Sequence, residues 1–244
     1  MYDTNVFPFR VELVGAWVDH PFVSGIMSGS VVTVNVINDF KSRSGLASSS
    51  RDVAKKLWPK GIPLTNLEEN SKLLFDAENT PEKEYISGSE DHIGILYPGV
   101  TRTIYSGAYW PIGIDNLKNS YVVEWLKSVV KLIPIVNRYD NFNPKSEGVI
   151  LDESYLKLLC ESGDLCWEAI LTFNIELLGE AVSNSYLGKT SILPATNIEE
   201  IEEKRLELLE MSYGVGISGA GGGGYLTVIS DEPIDDSIEL VIRN

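Results

Sequence analysis

The chain has 244 residues, 43% of them apolar, with 20 basic and 35 acidic side chains and a net charge of −15. That supports one sizeable domain or two intimately packed lobes, and the acidic balance argues against a nucleic-acid partner or an anionic membrane surface. No run approaches the ~20 apolar residues of a membrane span; the first apolar stretch is broken by Arg10, Glu12 and Asp19, so no secretory leader is read and a cytoplasmic protein is expected.

Residues 7–15 alternate enough to predict a strand, and the β-branched run over 30–38 predicts a second. Ser48 or Ser49 can cap a helix running through Val53, Ala54, Leu57 and Trp58, stopped at Pro59. Thr65 and Glu68 are spaced as a capping box for a helix reaching about Ala77. Residues 78–90 read as loop, and 93–97 and 101–105 as short strands. The stripe Val122, Val123, Leu126 and Val130 predicts a helix from Asn119 to about Lys131. Further helices are read over 152–161, 164–183 and 197–211, and a β-like run, 225–229, follows the glycine-rich stretch. The segment 137–150, rich in Asn, Pro, Gly and charge, is the expected lobe boundary, with lobes over 1–145 and 146–244.

Three stretches carry chemistry. Between Lys41 and Lys60 six basic residues face one acid, a net of +5 in an otherwise acidic chain. This island surrounds Ser44-Gly45-Leu46-Ala47-Ser48-Ser49-Ser50. A glycine followed by hydroxyl residues at a helix start leaves backbone N–H groups free for phosphate oxygens, and a hydroxyl can join a Mg²⁺ shell; plain N-capping by serine needs no ligand. Asp19, between Trp17 and Pro21, can accept two hydroxyl protons from a sugar or form a local turn. The run Gly214 to Gly224 holds five glycines within six positions, wedged between apolar segments, and reads as a tight loop inside a packed sheet. Cys160 and Cys166 fit no metal spacing and are expected to be buried thiols.

In order, these stretches resemble the three motifs of the GHMP kinase superfamily. The glycine run is similar to G-A-G-G-G-G and the serine loop to G-S-G-L-G-S-S-A. Phe9-Arg10-Val11-Glu12-Leu13-Val14-Gly15-Ala16-Trp17-Val18-Asp19-His20-Pro21 is similar to the R-x-D-x-x-G-G-W-T-D-x-P form of the heptose-phosphate kinase and fucokinase branch. The resemblance implies an α+β, two-lobed fold, with a ribosomal S5 domain 2-like N-terminal lobe and a ferredoxin-like C-terminal lobe. It implies ATP and Mg²⁺ as cofactors and transfer of a phosphoryl group to the hydroxyl of a sugar or sugar phosphate.

By the same resemblance Arg10 stabilises the transferring charge, and Asp19, with Gly15, Trp17 and His20, belongs to the substrate site. Gly45, Leu46, Ala47, Ser48, Ser49 and Ser50 wrap the nucleotide phosphates with Gly219, Gly221, Gly222, Gly223 and Gly224, and Ser49 is the metal ligand. Gly88-Ser89-Glu90-Asp91-His92 is similar to the family's G-x-x-D-Q segment, which makes Asp91 the base and puts His92 where Gln is common. The sequence departs from the pattern at two places. Gly216 stands where a Lys is frequent, and only 26 positions separate Asp19 from Gly45, where the family builds its base pocket. The alternative is therefore a non-catalytic homologue that binds a sugar or nucleotide as a sensor or assembly partner.

Overall fold

The computed structural model describes residues 2–3 and 6–244. Two four-stranded antiparallel sheets and eight α-helices form an α+β architecture. The first sheet has the order β2 (Phe9–Val14), β3 (Gly29–Val36), β5 (Val100–Tyr105), β6 (Gly113–Leu117). The second has the order β10 (Ile238–Glu239), β7 (Val130–Pro134), β9 (Tyr225–Ile229), β8 (Gly214–Ile217). A small ladder joins β1 (Tyr2–Asp3) to β4 (Ile62–Pro63).

Strand periodicity decides which residues reach the site. Phe9, Val11 and Leu13 of β2 enter the main apolar core with residues of α6 (Glu153–Thr172) and α7 (Ile175–Ile192). Arg10 and Glu12 alternate with them and so face the other way, buried though charged. The register shifts between Glu12 and Val14, where a bulge re-aims the strand end toward the loop that carries Trp17 and Asp19. The same core takes residues from β7 and β9, so both sheets close on one apolar interior. The short helix α1 (Pro21–Ser24) follows that loop.

Helix α2 (Ser48–Leu57) ends as expected, with Trp58 as its C-terminal cap. Its N-cap is Ala47, with φ +54°, and neither Ser48 nor Ser49 caps it. Helix α3 (Leu67–Glu78) likewise begins after Asn66 in the left-handed region, so the Thr65–Glu68 capping box does not form. The strand expected at 93–97 is the end of α4 (Ser89–Leu96), which is buried at seven of its eight positions. A short, wholly apolar run has no polar face to reveal its period.

Strand β6 was not legible, and neither was β7, which follows α5 (Ser120–Val129) with no loop between them. Helices α6 and α7 replace the pair read at 152–161 and 164–183. Ser162 and Gly163, read as a break, lie buried inside α6, and the true break is Phe173, at φ +54°, before Asn174 caps α7. Helix α8 (Glu199–Leu209) leads into the second sheet. Both cysteines are free and buried, and burial pushes the Cys160 thiol up to about 12. Among the described residues no helix is long and apolar enough to cross a membrane.

Candidate active site

Where β2, α2 and α4 meet the glycine run, two adjoining cavities open. The larger is a cleft of about 720 Å³ lined by Arg10, Lys41, Arg43, Gly45, Ala47, Ser48, Ser49, Asp91, Arg138, Gly219 and Ala220, among others. The smaller, about 70 Å³, is lined by Arg10, Glu12, Trp17, Asp19, His20, Tyr85, Glu90, Asp91, Gly219 and Ala220, with Ala16, Ser87 and Gly88. Arg10 and Asp91 line both, and so stand at the junction.

The walls of the cleft are hydroxyls, backbone and cations with the carboxyls of Asp52 and Asp91 among them, and Asp52 pairs with Arg43 at 2.7 Å. The first N–H groups of α2 lack intrahelical acceptors and carry the positive end of the helix dipole. Of the six basic residues in the 41–60 island only Lys41 and Arg43 line the cleft. Arg51 turns away, donating to the Phe7 carbonyl at 2.6 Å with its guanidinium over the Phe9 ring. Arg138, from the segment after β7, donates through Nε to the Gly221 carbonyl at 2.9 Å and leaves Nη2 buried without a partner.

Arg10 is the hinge between the cavities. Its Nη2 lies 2.7 Å from Glu90 Oε1 and bonds Asp91 Oδ1 as well. Glu90 is buried, and burial outweighs Arg10 and raises its carboxyl to about 8. Asp91 is more open, its side chain 22% exposed. Glu12 accepts from the amides of Ala16 (3.1 Å) and Gly219 (2.9 Å). Lys189 of α7 comes up from beneath, fully buried, and donates to the carbonyls of Ile217 (2.8 Å) and Gly219 (2.9 Å). Sequence reading left a cation unaccounted for at Gly216; Lys189 and Arg138 bring two cations close by. A lone lysine in the otherwise uncharged run 182–193 was the available signal for Lys189.

Ser49 donates to Glu78 Oε1 at the end of α3. The other carboxylate oxygen lies 2.8 Å from His92 Nε2, while His92 Nδ1 lies 3.0 Å from the Gly88 carbonyl. Burial opposes charge on Glu78, but the bonds from His92 and Ser49 win and hold its carboxyl well below the carboxylate range. His92 therefore faces α3 and lines neither cavity. Sequence reading named Ser49 and missed Glu78, which lies in no motif.

Several expected site residues play a packing part. Leu46 and Ser50 are buried and line neither cavity, and Gly15 packs under β3, its amide donating to Ser185 Oγ at 2.8 Å. Gly221, Gly222, Gly223 and Gly224 also line neither cavity. They back onto Thr196, Phe142, the 136–138 backbone and Ser44 respectively. The part of the run that reaches the cavities is Gly219 and Ala220. Gly219 meets Gly45 so closely that a Cβ on it would lie 2.8 Å from the Gly45 Cα, so both positions need glycine for the two loops to touch.

Asp19 and His20 sit in an aromatic nest. The Trp17 and His20 rings are 4.9 Å apart, and His20 lies 5.4 Å from Tyr109 and 6.0 Å from Tyr85, centroid to centroid. Trp17 Nε1 and His20 Nδ1 are buried without partners. Gly88 presses on Asp19: a Cβ there would lie 1.5 Å from Asp19 Oδ2.

No protein-family model matches the chain, and no curated protein sequence does. Solved structures do match in fold. The Methanococcus jannaschii mevalonate kinase superposes with a TM-score of 0.62 at 14% identity, over 92% of this chain and 89% of that one. A D-glycero-D-manno-heptose 1-phosphate kinase from Bacteroides thetaiotaomicron gives 0.61 at 12%, over 97% and 94%. MDDEF in complex with MVAPP, AMPPCP and magnesium gives 0.51 at 10%, over 92% and 88%. The chain has the two-lobed fold of the GHMP kinases, as its three motifs implied.

Proposed function

We propose that the protein is a small-molecule kinase that transfers the γ-phosphoryl group of ATP to an acceptor hydroxyl. The observation that carries this reading is the position of Arg10 and Asp91 at the junction of a large cation-lined cleft and a small acid-lined one. The cleft suits a triphosphate, held by the α2 N-terminus, Lys41, Arg43, Arg138 and the Gly219–Ala220 backbone. The small cavity suits the acceptor.

In this reading Asp91 takes the proton of the acceptor hydroxyl as its oxygen bonds the γ-phosphorus and the bond to the ADP oxygen breaks. Arg10 moves from its carboxylate partners toward the charge that develops on the phosphoryl oxygens. Mg²⁺ would be held by the Ser49 hydroxyl, a hard oxygen donor lining the cleft, and would neutralise phosphate charge. Among the described residues no group of three or more His, Cys, Asp or Glu side chains could hold a metal.

A non-catalytic binding role is the second reading. It is favoured by the connection from β3 to α2, in which only residues 37–47 intervene and a base pocket has little chain to form from. ATP consumption with a panel of sugars and amino alcohols, wild type beside Asp91→Asn, decides. Turnover lost in the variant supports the kinase. No turnover on any acceptor, with no thermal shift from ATP·Mg²⁺, leaves the binding role.

A further inference from the structure

The small cavity is lined by more carboxyl groups than cations. Glu12, Asp19, Glu90 and Asp91 line it against one guanidinium, Arg10, with the Lys189 ammonium behind Gly219 as a further charge partner of Glu12 and Glu90. Glu12 is satisfied by two backbone amides, and Asp91 and Glu90 Oε1 share Arg10. Glu90 Oε2 remains, buried and without a partner, on a residue only 6% exposed. Asp19 also remains: it is 3% exposed, no described residue donates a hydrogen bond to its carboxylate, and its nearest basic group is His20 Nε2 at 3.9 Å. Burial lowers the His20 pKa against the pull of Asp19, so that ring supplies little counter-charge near neutral pH.

The wall facing these oxygens is aromatic, built from Trp17, His20 and Tyr85. The same aromatic cluster already attracts an ammonium from outside, since Lys145 Nζ lies 4.2 Å from the Phe22 ring centre and 5.5 Å from that of Trp17. The unpaired, buried Asp19 carboxylate beside aromatic faces, with Glu90 Oε2 as a second unpaired oxygen, makes the surroundings a protonated amine prefers. A neutral polyol would meet the lone pairs and leave the Asp19 charge unmatched, and a phosphate ester would be repelled by it.

We propose that this cavity takes an acceptor alcohol that carries a protonated amine and no phosphate or carboxylate, a small amino alcohol or amino sugar, with its ammonium facing Asp19 and Glu90 beside Trp17 and His20. The word acceptor rests on the kinase reading; the preference for an amine does not. Because Glu90 holds its proton when the cavity is empty, an arriving ammonium should displace it into solution.

Calorimetric titration without nucleotide tests the preference. The probes are 2-amino-1,3-propanediol, glycerol and glycerol 3-phosphate, then glucosamine beside glucose. The amine of each pair should bind tighter by a factor on the order of ten, with proton release seen as a dependence of the heat on buffer, and glycerol 3-phosphate should bind weakest. Asp19→Asn and Glu90→Gln should each draw the amine-to-hydroxyl ratio toward one, and either variant alone suffices if the other fails to fold. Equal or weaker binding of both amines, or no binding of either, overturns the proposal. Amine binding without ATP consumption leaves the proposal standing and removes the kinase reading. ATP consumption that favours neutral acceptors does the reverse.

Discussion

Lys189 and Glu12 grip the same residue from its two ends: Lys189 Nζ donates to the Gly219 carbonyl at 2.9 Å, and the Gly219 amide donates to Glu12 Oε2 at 2.9 Å. One buried cation and one buried carboxylate thus fix the residue at which the glycine run enters both cavities. Replacing Lys189 by Met removes two bonds to backbone carbonyls and leaves Glu12 with Arg10 as its remaining counter-charge. The expected loss is on the order of 3–5 kcal/mol in urea unfolding. Glu12→Gln combined with Lys189→Met should recover part of it, since no unpaired charge is then buried. A single variant as stable as the wild type would show that the pair does not hold the run.

Asp91→Asn keeps the shape of the side chain and removes the proton acceptor. If the kinase reading holds, kcat should fall by about 10²–10⁴-fold with the fold intact by circular dichroism. Arg10→Lys keeps a positive charge but loses the fork that now reaches both Glu90 and Asp91. It should lower kcat as well, with a smaller change in the KM for the acceptor.

Gly88→Ala is a steric test of the Asp19 position. The backbone at Gly88, with φ −65° and ψ 153°, is open to alanine. The obstacle is Asp19 Oδ2, 1.5 Å from the added Cβ. A cost of roughly 1–3 kcal/mol and weaker acceptor binding are expected. Asp19→Ala in the same chain should relieve the stability cost, and a thermal-melt double-mutant cycle measures that relief. Additive losses would mean that the two residues do not touch.

Two carboxyls should give opposite pH signatures. Glu90 is raised from 4.5 to about 8, so between those values the folded protein keeps a proton that the unfolded chain has released. Stability should fall as pH rises through that window, and Glu90→Gln should flatten the decline. Glu78 is held below its ordinary value of 4.5, so its contribution is present above that pH and fades on acidification. Glu78→Gln should flatten the acid limb instead. Urea midpoints across pH, for wild type and both variants, separate the two.

What could be read in advance followed from local pattern. Alternation in β2 and β3 and the 3.6-residue stripe of α5 were legible because each has one apolar and one polar face. α4 was not, because it is buried at seven of its eight positions and burial erases periodicity; the α6–α7 junction was not, because exposed apolar residues, Leu171 and Phe173, carry the apolar pattern through the break. In the site, Arg10, Asp19, Asp91 and the serine loop lie within motifs and were named. Glu78, Arg138 and Lys189 come from three distant segments, and only the folded chain brings them to the same place. The glycine run illustrates the difference. Its sequence marked a loop of unusual backbone, but which of its residues reach the cavities depends on what Phe142, Thr196 and Ser44 press against.

The meeting of Gly45 with Gly219 also constrains how the protein can be made. Ser218 Oγ donates to the Gly45 carbonyl at 2.9 Å, across 173 residues of sequence, and β3 acquires its last neighbour only when Val36 bridges to Ile242. A chain emerging from the ribosome can build most of its first sheet early, but it has no closed cleft until the glycine run has left the exit tunnel. Contacts of such long range are slow to form and leave strand edges exposed meanwhile. The pocket is therefore among the last features to mature, and a bound triphosphate would act on the completed chain as a late clamp that closes one end of the polypeptide on the other.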